Sequence, residues 1–220
     1  MEMTFGMKSR TRFGTWNIRT MLETSRLAQV IHEMDRYRLQ VLGLCETRWP
    51  EQGEHITSDG HMLLFSGKPT NELRASSVGI LLNSNTRRGL INWKPVTDGI
   101  IWVRLRSKVT NITFIQCYAP TEVSDEESKN VFYEQLTATI RDLRKSDIVV
   151  LMGDFNAKVG QNNSRLEHVM GAHALGQMNN NGELLIEFWS TQGLIIRGSI
   201  FPHKDIHKAT WISPDNRTMN

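Results

Sequence analysis

Continuous apolar runs alternate with helical stripes along the 220 residues. Arg10 to Ile18 reads as a strand, closing in "TWNIR". In "TSRLAQVIHEMDRY", Leu27, Val30, Ile31 and Met34 recur at helical spacing, with Thr24 or Ser25 placed to cap the helix. "LQVLGLCE" is an unbroken apolar run, the pattern of a strand covered on both faces, and it stops at Glu46. "HMLLFSG", "SVGILLN" and "GIIWVRLRS" predict further strands, and "NITFIQCYAP" another, ended by Pro120. Ser124-Asp125-Glu126-Glu127 carries a capping-box pattern before a helix with Phe132, Leu136, Ile140 and Leu143 on one face. "DIVVLMGDFN" predicts a strand with a buried-looking run from Asp147 to Met152. Asn181 is placed to cap a short helix carrying Leu184, Leu185, Phe188 and Trp189, closed by Gly193. "LIIRGSI" and "KATWIS" predict the last strands.

Strands and helices are interspersed, and hairpin-like strand pairs occur in the middle of the chain. This is a mixed α/β pattern. With 39% hydrophobic residues, no internal repeat and no linker, residues 1–220 read as one domain. The longest irregular stretch, "QNNSRLEHVMGAHALGQMNNNG", is polar and glycine-rich, so it reads as a loop over a site or a surface excursion.

Composition narrows the picture a little. Lys plus Arg number 26 and Asp plus Glu 23, a net charge of +3. Residues 1–50 hold eight basic and five acidic side chains, so the whole surplus lies there. The balance permits a nucleic-acid partner without demanding one. Cys45 and Cys117 each sit in an apolar run, the setting of buried free thiols in a reducing compartment. No thiolate spacing suggests a structural zinc. The N-terminus does not read as a signal peptide, and no apolar stretch is long enough to span a bilayer.

Four predicted strands end in polar residues: Asn17, Glu46, Tyr118, and Asp154 with Asn156. Gly, Asp and Asn also form plain turns, so each residue alone has a bland explanation. Together they are more informative. If the strands lie side by side and point the same way, an acid pair faces two amides and a phenol. Oxygen donors of that kind suit Mg²⁺ or Mn²⁺. Such an ion polarises a phosphoryl oxygen and steadies a leaving oxygen.

The matching stretches "TWNIRT" (15–20), "LGLCETRW" (42–49), "IQCYAPT" (115–121) and "LMGDFNAKVG" (151–160) carry a family resemblance. "NNNGELLIEF" (179–188) and the segment 201–220 extend it over nearly the whole chain. The chain resembles the endonuclease/exonuclease/phosphatase superfamily. More narrowly it resembles the apurinic-like endonuclease domain of non-LTR retrotransposons and the craniofacial development protein 2-like sequences. The resemblance implies a four-layer α/β sandwich, two packed mixed sheets with helices outside. It also implies a Mg²⁺- or Mn²⁺-dependent phosphodiesterase, a DNA endonuclease nicking one strand, working in the nucleus or cytoplasm with no membrane partner.

The residue roles follow from the same resemblance. Glu46 would be the main metal ligand, with Asn17 and Asp154 in the metal shell. Tyr118 would bond the scissile phosphate or help the leaving oxygen. Asp154 would deprotonate the attacking water, and Asn156 would fix Asp154 and touch a phosphate oxygen. His173 falls where relatives often have "HG" and is a further candidate. Trp211, after Thr210, could lie against the substrate backbone or in the core.

Relatives also carry a terminal Asp-His pair and a last core strand, and the sequence ends at Asn220 where that stretch would begin. The chain is therefore expected to be truncated before its last core strand, and nicking by it to be weak or absent. Two alternatives remain open: a domesticated binding protein that no longer cuts, or a phosphatase on the same fold.

Overall fold

A computed structural model describes residues 11–23, 25–69, 77–204 and 208. The described chain forms two compact units. The first is Met1–Ala119 with Ala138–Asp154, and the second is Pro120–Thr137 with Phe155–Asn220.

The first unit is an α/β sandwich of two mixed sheets. One sheet has five strands in the order β1 (Phe13–Asn17), β2 (Val41–Cys45), β5 (Ser77–Leu82), β4 (Met62–Gly67) and β3 (Gln52–Ile56). The other has four, in the order β6 (Leu90–Thr97), β7 (Ile100–Leu105), β8 (Ile112–Tyr118) and β9 (Ile148–Asp154). Each sheet contains one parallel pair. β1 runs with β2, setting Asn17 beside Cys45, and β8 runs with β9, setting Tyr118 beside Asp154. The mid-chain pairs are antiparallel, as the sequence pattern anticipates.

The period of two along each strand assigns the faces. Val41, Met62, Leu64, Val78, Ile80 and Leu82 of the first sheet pack against Ile101, Val103, Leu105, Phe114 and Met152 of the second. This is the core between the sheets. Leu42, Leu44, Leu63 and Leu81 point the other way, onto helix α1 (Arg26–Arg36), which buries Val30, Ile31 and Met34. β2 is therefore covered on both faces, and all five of its residues are buried. Burial at about 25 cal/mol per Å² of apolar surface makes these two clusters the main stabilising force of the unit.

Several local expectations change. Ser25 holds the N-cap position of α1, but its side chain makes no capping bond. β3 and β6 carry too many polar residues to read as strands, and pairing with β4 and β7 forms them regardless. β9 is only half-buried, with Met152 its one buried residue, because it lies at a sheet edge. Asp147, just before it, is no core residue but pairs with Arg104.

The second unit is built from the first turns of α3 (Glu126–Asp142), from α4 (Asn180–Gln192) and from a long loop. The cap of α3 is Asp125, whose carboxylate accepts from the Ser128 N–H at 2.7 Å. Ser124 bonds Thr121 instead. Asp125 stands directly before the first helical residue, and Ser124 is one position too early. The cap of α4 is Asn179, in extended conformation, accepting from Gly182 N–H. Asn181 is already inside the helix. Gly193 closes α4 at φ 65°, as its residue type predicts.

"LIIRGSI" is not a strand. Ile196 makes one isolated bridge with Met170, and a 3-10 turn follows at Arg197–Ser199. Among the described residues no helix is long and apolar enough to cross a membrane. "KATWIS", with Thr210 and Trp211, lies almost wholly outside the described residues.

Candidate active site at four strand tips

The C-terminal ends of β1, β2, β8 and β9 meet on one side of the sandwich. The Asn17 side-chain amide donates to Glu46 Oε1 at 2.7 Å and to Asp154 Oδ2 at 2.9 Å. The Tyr118 hydroxyl donates to the same Glu46 Oε1 at 3.0 Å. Asn17, Glu46, Tyr118 and Asp154 are all half-buried, so they are reachable from solvent and partly shielded from it. The convergence assumed from the sequence is present for these four.

Backbone geometry explains how Glu46 takes part. Cys45 faces the interior between the sheets, so a strand continued by one residue would turn Glu46 to the α1 side. Glu46 instead adopts φ 56°, the left-handed region, which re-aims its carboxylate toward Tyr118 and Asn17. A non-glycine residue held there stores strain of about 1–3 kcal/mol, which tends to persist at functional positions. The loop that follows is stitched to the loop after β1. Met21 N–H donates to Thr47 O at 3.0 Å, and the Trp49 indole N–H donates to Met21 O at 2.9 Å.

The Asp154 end is fixed by Gly153. At φ 146°, a Cβ there would lie 2.0 Å from the Cys117 carbonyl oxygen, so only glycine lets β9 run this close to β8.

Electrostatics assign the phenol. Burial first, and the neighbouring Glu46 carboxylate second, push Tyr118 well above the ordinary tyrosine range. It stays protonated at physiological pH and acts as a donor. Asn17 presents its NH₂ group to the carboxylates, while its carbonyl oxygen accepts from the Arg19 N–H at 3.1 Å.

The donor set fits a hard cation. It consists of two carboxylates, held in place by an amide N–H and a phenol O–H, with both nearby thiols buried. Among the described residues, no group of three or more His, Cys, Asp and Glu is placed to hold a metal. Two carboxylates suit Mg²⁺, which keeps several of its waters, better than they suit zinc.

Asn156 and His173 belong to the second unit. Asn156 takes φ 48°, and its carbonyl oxygen accepts from Asn181 Nδ2 at 3.0 Å. The same Asn181 amide donates to Pro120 O at 3.0 Å. Asn181 is buried and joins the segments that follow β8 and β9, a role its place in "NNNG" does not disclose. Beside it, the buried Lys129 ammonium donates to Asn180 Oδ1 at 2.9 Å and to Glu122 O at 3.1 Å. His173 is half-buried in the loop, and its backbone N–H donates to Ser199 O at 2.9 Å.

This sandwich, with its polar strand tips, has the fold of the endonuclease/exonuclease/phosphatase superfamily. It is similar to an AP endonuclease from Leishmania major, with TM-score 0.55 at 13% identity over 83% of this chain and 66% of that one. It is also similar to the endonuclease domain of TRAS1, a telomere-specific non-LTR retrotransposon, with TM-score 0.53 at 15% identity over 82% and 71% of the two chains. In sequence, the chain is similar to craniofacial development protein 2. It is 35% identical to the Bos taurus protein and 34% identical to the Tragulus javanicus protein, over 204 residues in each case. The match covers 93% of this chain and 33% and 34% of those proteins, so the chain spans about a third of their length. No protein-family model matches the chain.

Proposed function

We propose that this chain is a divalent-metal-dependent phosphodiesterase that nicks one strand of DNA. The observation that supports it most is the single amide of Asn17 shared between Glu46 and Asp154, with Tyr118 on the same Glu46 oxygen. Two acids held together by donors form an oxygen-rich, anionic corner that a hydrated cation would complete. Glu46 and Asp154 are the residues that would hold Mg²⁺ or Mn²⁺, with Asn17, whose NH₂ group faces both, aligning them beside the ion. Bound there, the ion supplies charge neutralisation at a phosphoryl oxygen and at the leaving oxygen.

The rest is the work of side chains. Asp154 accepts the proton of the attacking water, as a carboxylate within reach of that water can. Tyr118, a permanent donor, steadies Glu46 and offers its hydroxyl beside the phosphate. Asn17 holds the two carboxylates together and aligned before substrate arrives, so no reorganisation is needed during the reaction. Asn156 and His173 are assigned to the phosphate by the family resemblance alone. DNA is favoured as substrate because an AP endonuclease and a retrotransposon endonuclease domain are among the similar structures.

The test is supercoiled plasmid incubated with the chain and Mg²⁺ or Mn²⁺, beside Asp154→Asn and Glu46→Gln. The expected result is slow nicking that still exceeds the rate of either variant and is lost with chelator. Equal rates for the chain and both variants overturn the reading. Release of phosphate from monoesters without nicking redirects it to a phosphatase.

A further inference from the structure

One layer below the site, side chains of three of these strands, β1, β2 and β8, form a second polar tier. By the period of two, Thr15 lies under Asn17, Gln116 under Tyr118, and Cys45 faces the same interior. Gln116 is fully buried between the two sheets. Its Nε2 donates to Thr15 Oγ1 at 3.1 Å and to Cys45 Sγ at 3.0 Å. The Thr15 hydroxyl also lies 3.3 Å from Gln116 Oε1, so it meets both ends of the amide. The Cys45 thiol in turn donates to the Cys117 carbonyl oxygen at 3.1 Å.

Space for this side chain is provided on purpose by Gly43 of β2. A Cβ there would fall 1.8 Å from Gln116 Oε1 and 3.0 Å from Met152 Cε. An apolar residue at 116 would continue the core formed by Phe114 and its neighbours, and burying an amide is costly unless its bonds are made. Here they are made, and they join β8 to β1 and β2, three of the four strands that end in the site.

We infer that Gln116 is a positioning residue: it crosslinks β1, β2 and β8, the strand that carries β9 beside it, so that Asn17, Glu46, Tyr118 and Asp154 meet at hydrogen-bonding distance. It touches no substrate. Its effect is to fix the separation of two parallel strand pairs that belong to different sheets and share no ladder hydrogen bonds. Cys45 serves as the junction: it is fully buried, accepts from the Gln116 amide and donates its thiol to the Cys117 carbonyl oxygen. The consequence for cleavage rests on the phosphodiesterase reading; the consequence for Asn17 does not.

The experiment compares the chain with Gln116→Met, which keeps volume and removes the amide, and with Thr15→Val, which removes one partner from the sheet edge. Two readouts are taken. The first is hydrogen exchange at the Asn17 side-chain amide by NMR, its signal assigned by its loss in Asn17→Ala. The second is the kinetics of phosphodiester cleavage with Mg²⁺. In Gln116→Met, Asn17 exchange is expected to accelerate markedly, and kcat to fall about 10–100-fold, the usual effect of losing a residue that orients a site, with KM little changed. Thr15→Val is expected to move both in the same direction by less. Unchanged Asn17 exchange in a folded Gln116→Met protein overturns the inference. If that variant does not fold, unchanged exchange in Thr15→Val does so. If the parent chain cleaves nothing, the proposed function fails while Asn17 exchange still decides this assignment.

Discussion

Asn17 and Asp154 lie 137 residues apart in sequence and in different sheets, yet the Asn17 amide donates to Asp154 Oδ2 at 2.9 Å. The same NH₂ group reaches Glu46, so one neutral donor holds two like charges in one corner. Without it, their repulsion would be relieved by moving apart. Asn17→Ala should therefore weaken Mn²⁺ binding by about 10-fold or more, judged by the usual effect of losing a group that orients metal ligands. Calorimetric titration checks this, and equal affinity would remove Asn17 from the site.

Glu46 combines a chemical and a conformational requirement. Its carboxylate accepts two bonds, and its backbone sits at φ 56°. Glu46→Ala and Glu46→Gly should both lose Mn²⁺ binding. They should differ in stability, with Gly ahead by about 1 kcal/mol because glycine takes φ > 0 without strain. Urea unfolding of the pair measures the difference. Identical midpoints would mean that the left-handed turn is unstrained in solution.

On the outer face of the second sheet, Arg104 donates to both carboxylate oxygens of Asp147, and Thr113 adds a third bond at 3.1 Å. The Arg104 hydrogen bond is the main cause of a lowered Asp147 pKa, against a smaller opposing effect of burial. A depressed folded pKa gives stability that is present above the unfolded value of about 4 and is lost as pH falls through the folded one. Asp147→Asn should lower stability at pH 7 and flatten the decline between pH 5 and the acid limit. Asp147→Ala, which strands Arg104, should cost about 3 kcal/mol, the lower end for a broken buried pair since Arg104 keeps some solvent. Thermal unfolding across that range gives both curves.

Asn181 should matter well beyond its size. It is buried and donates to the carbonyls of Pro120 and Asn156. Asn181→Leu should cost about 1–3 kcal/mol through two unsatisfied carbonyls. Asn181→Asp should cost more, because it strands the same two carbonyls and adds a buried carboxylate that repels their oxygens. Hydrogen exchange in residues 155–158 should quicken in both variants. Unchanged exchange there would show that Asn156 is held by other means.

Much of this was legible before any coordinates. "VLGLC" reads as a strand covered on both faces because five successive apolar residues fit no other environment, and all five are buried. Asn17, Glu46, Tyr118 and Asp154 could be picked out because each polar residue follows an apolar run. The two caps were misplaced by one or two positions. Asn, Ser and Asp have similar local propensities, and only the dihedral angles show where the helix begins.

What the sequence alone determined was the set of strands that end in polar groups and the kind of ion those groups suit. That information is local, written in period and residue type. Tertiary structure decided the rest. It brought residues 17, 46, 118 and 154 to one corner through parallel pairs in two separate sheets. It turned Glu46 inward by a left-handed residue, and it gave Gln116, an apparently misplaced amide in an apolar strand, partners on β1 and β2. A buried polar group is intelligible only through the bonds it makes, and here those partners lie 71 and 101 residues away. No local pattern encodes contacts of that range, because they exist only once the two sheets have packed.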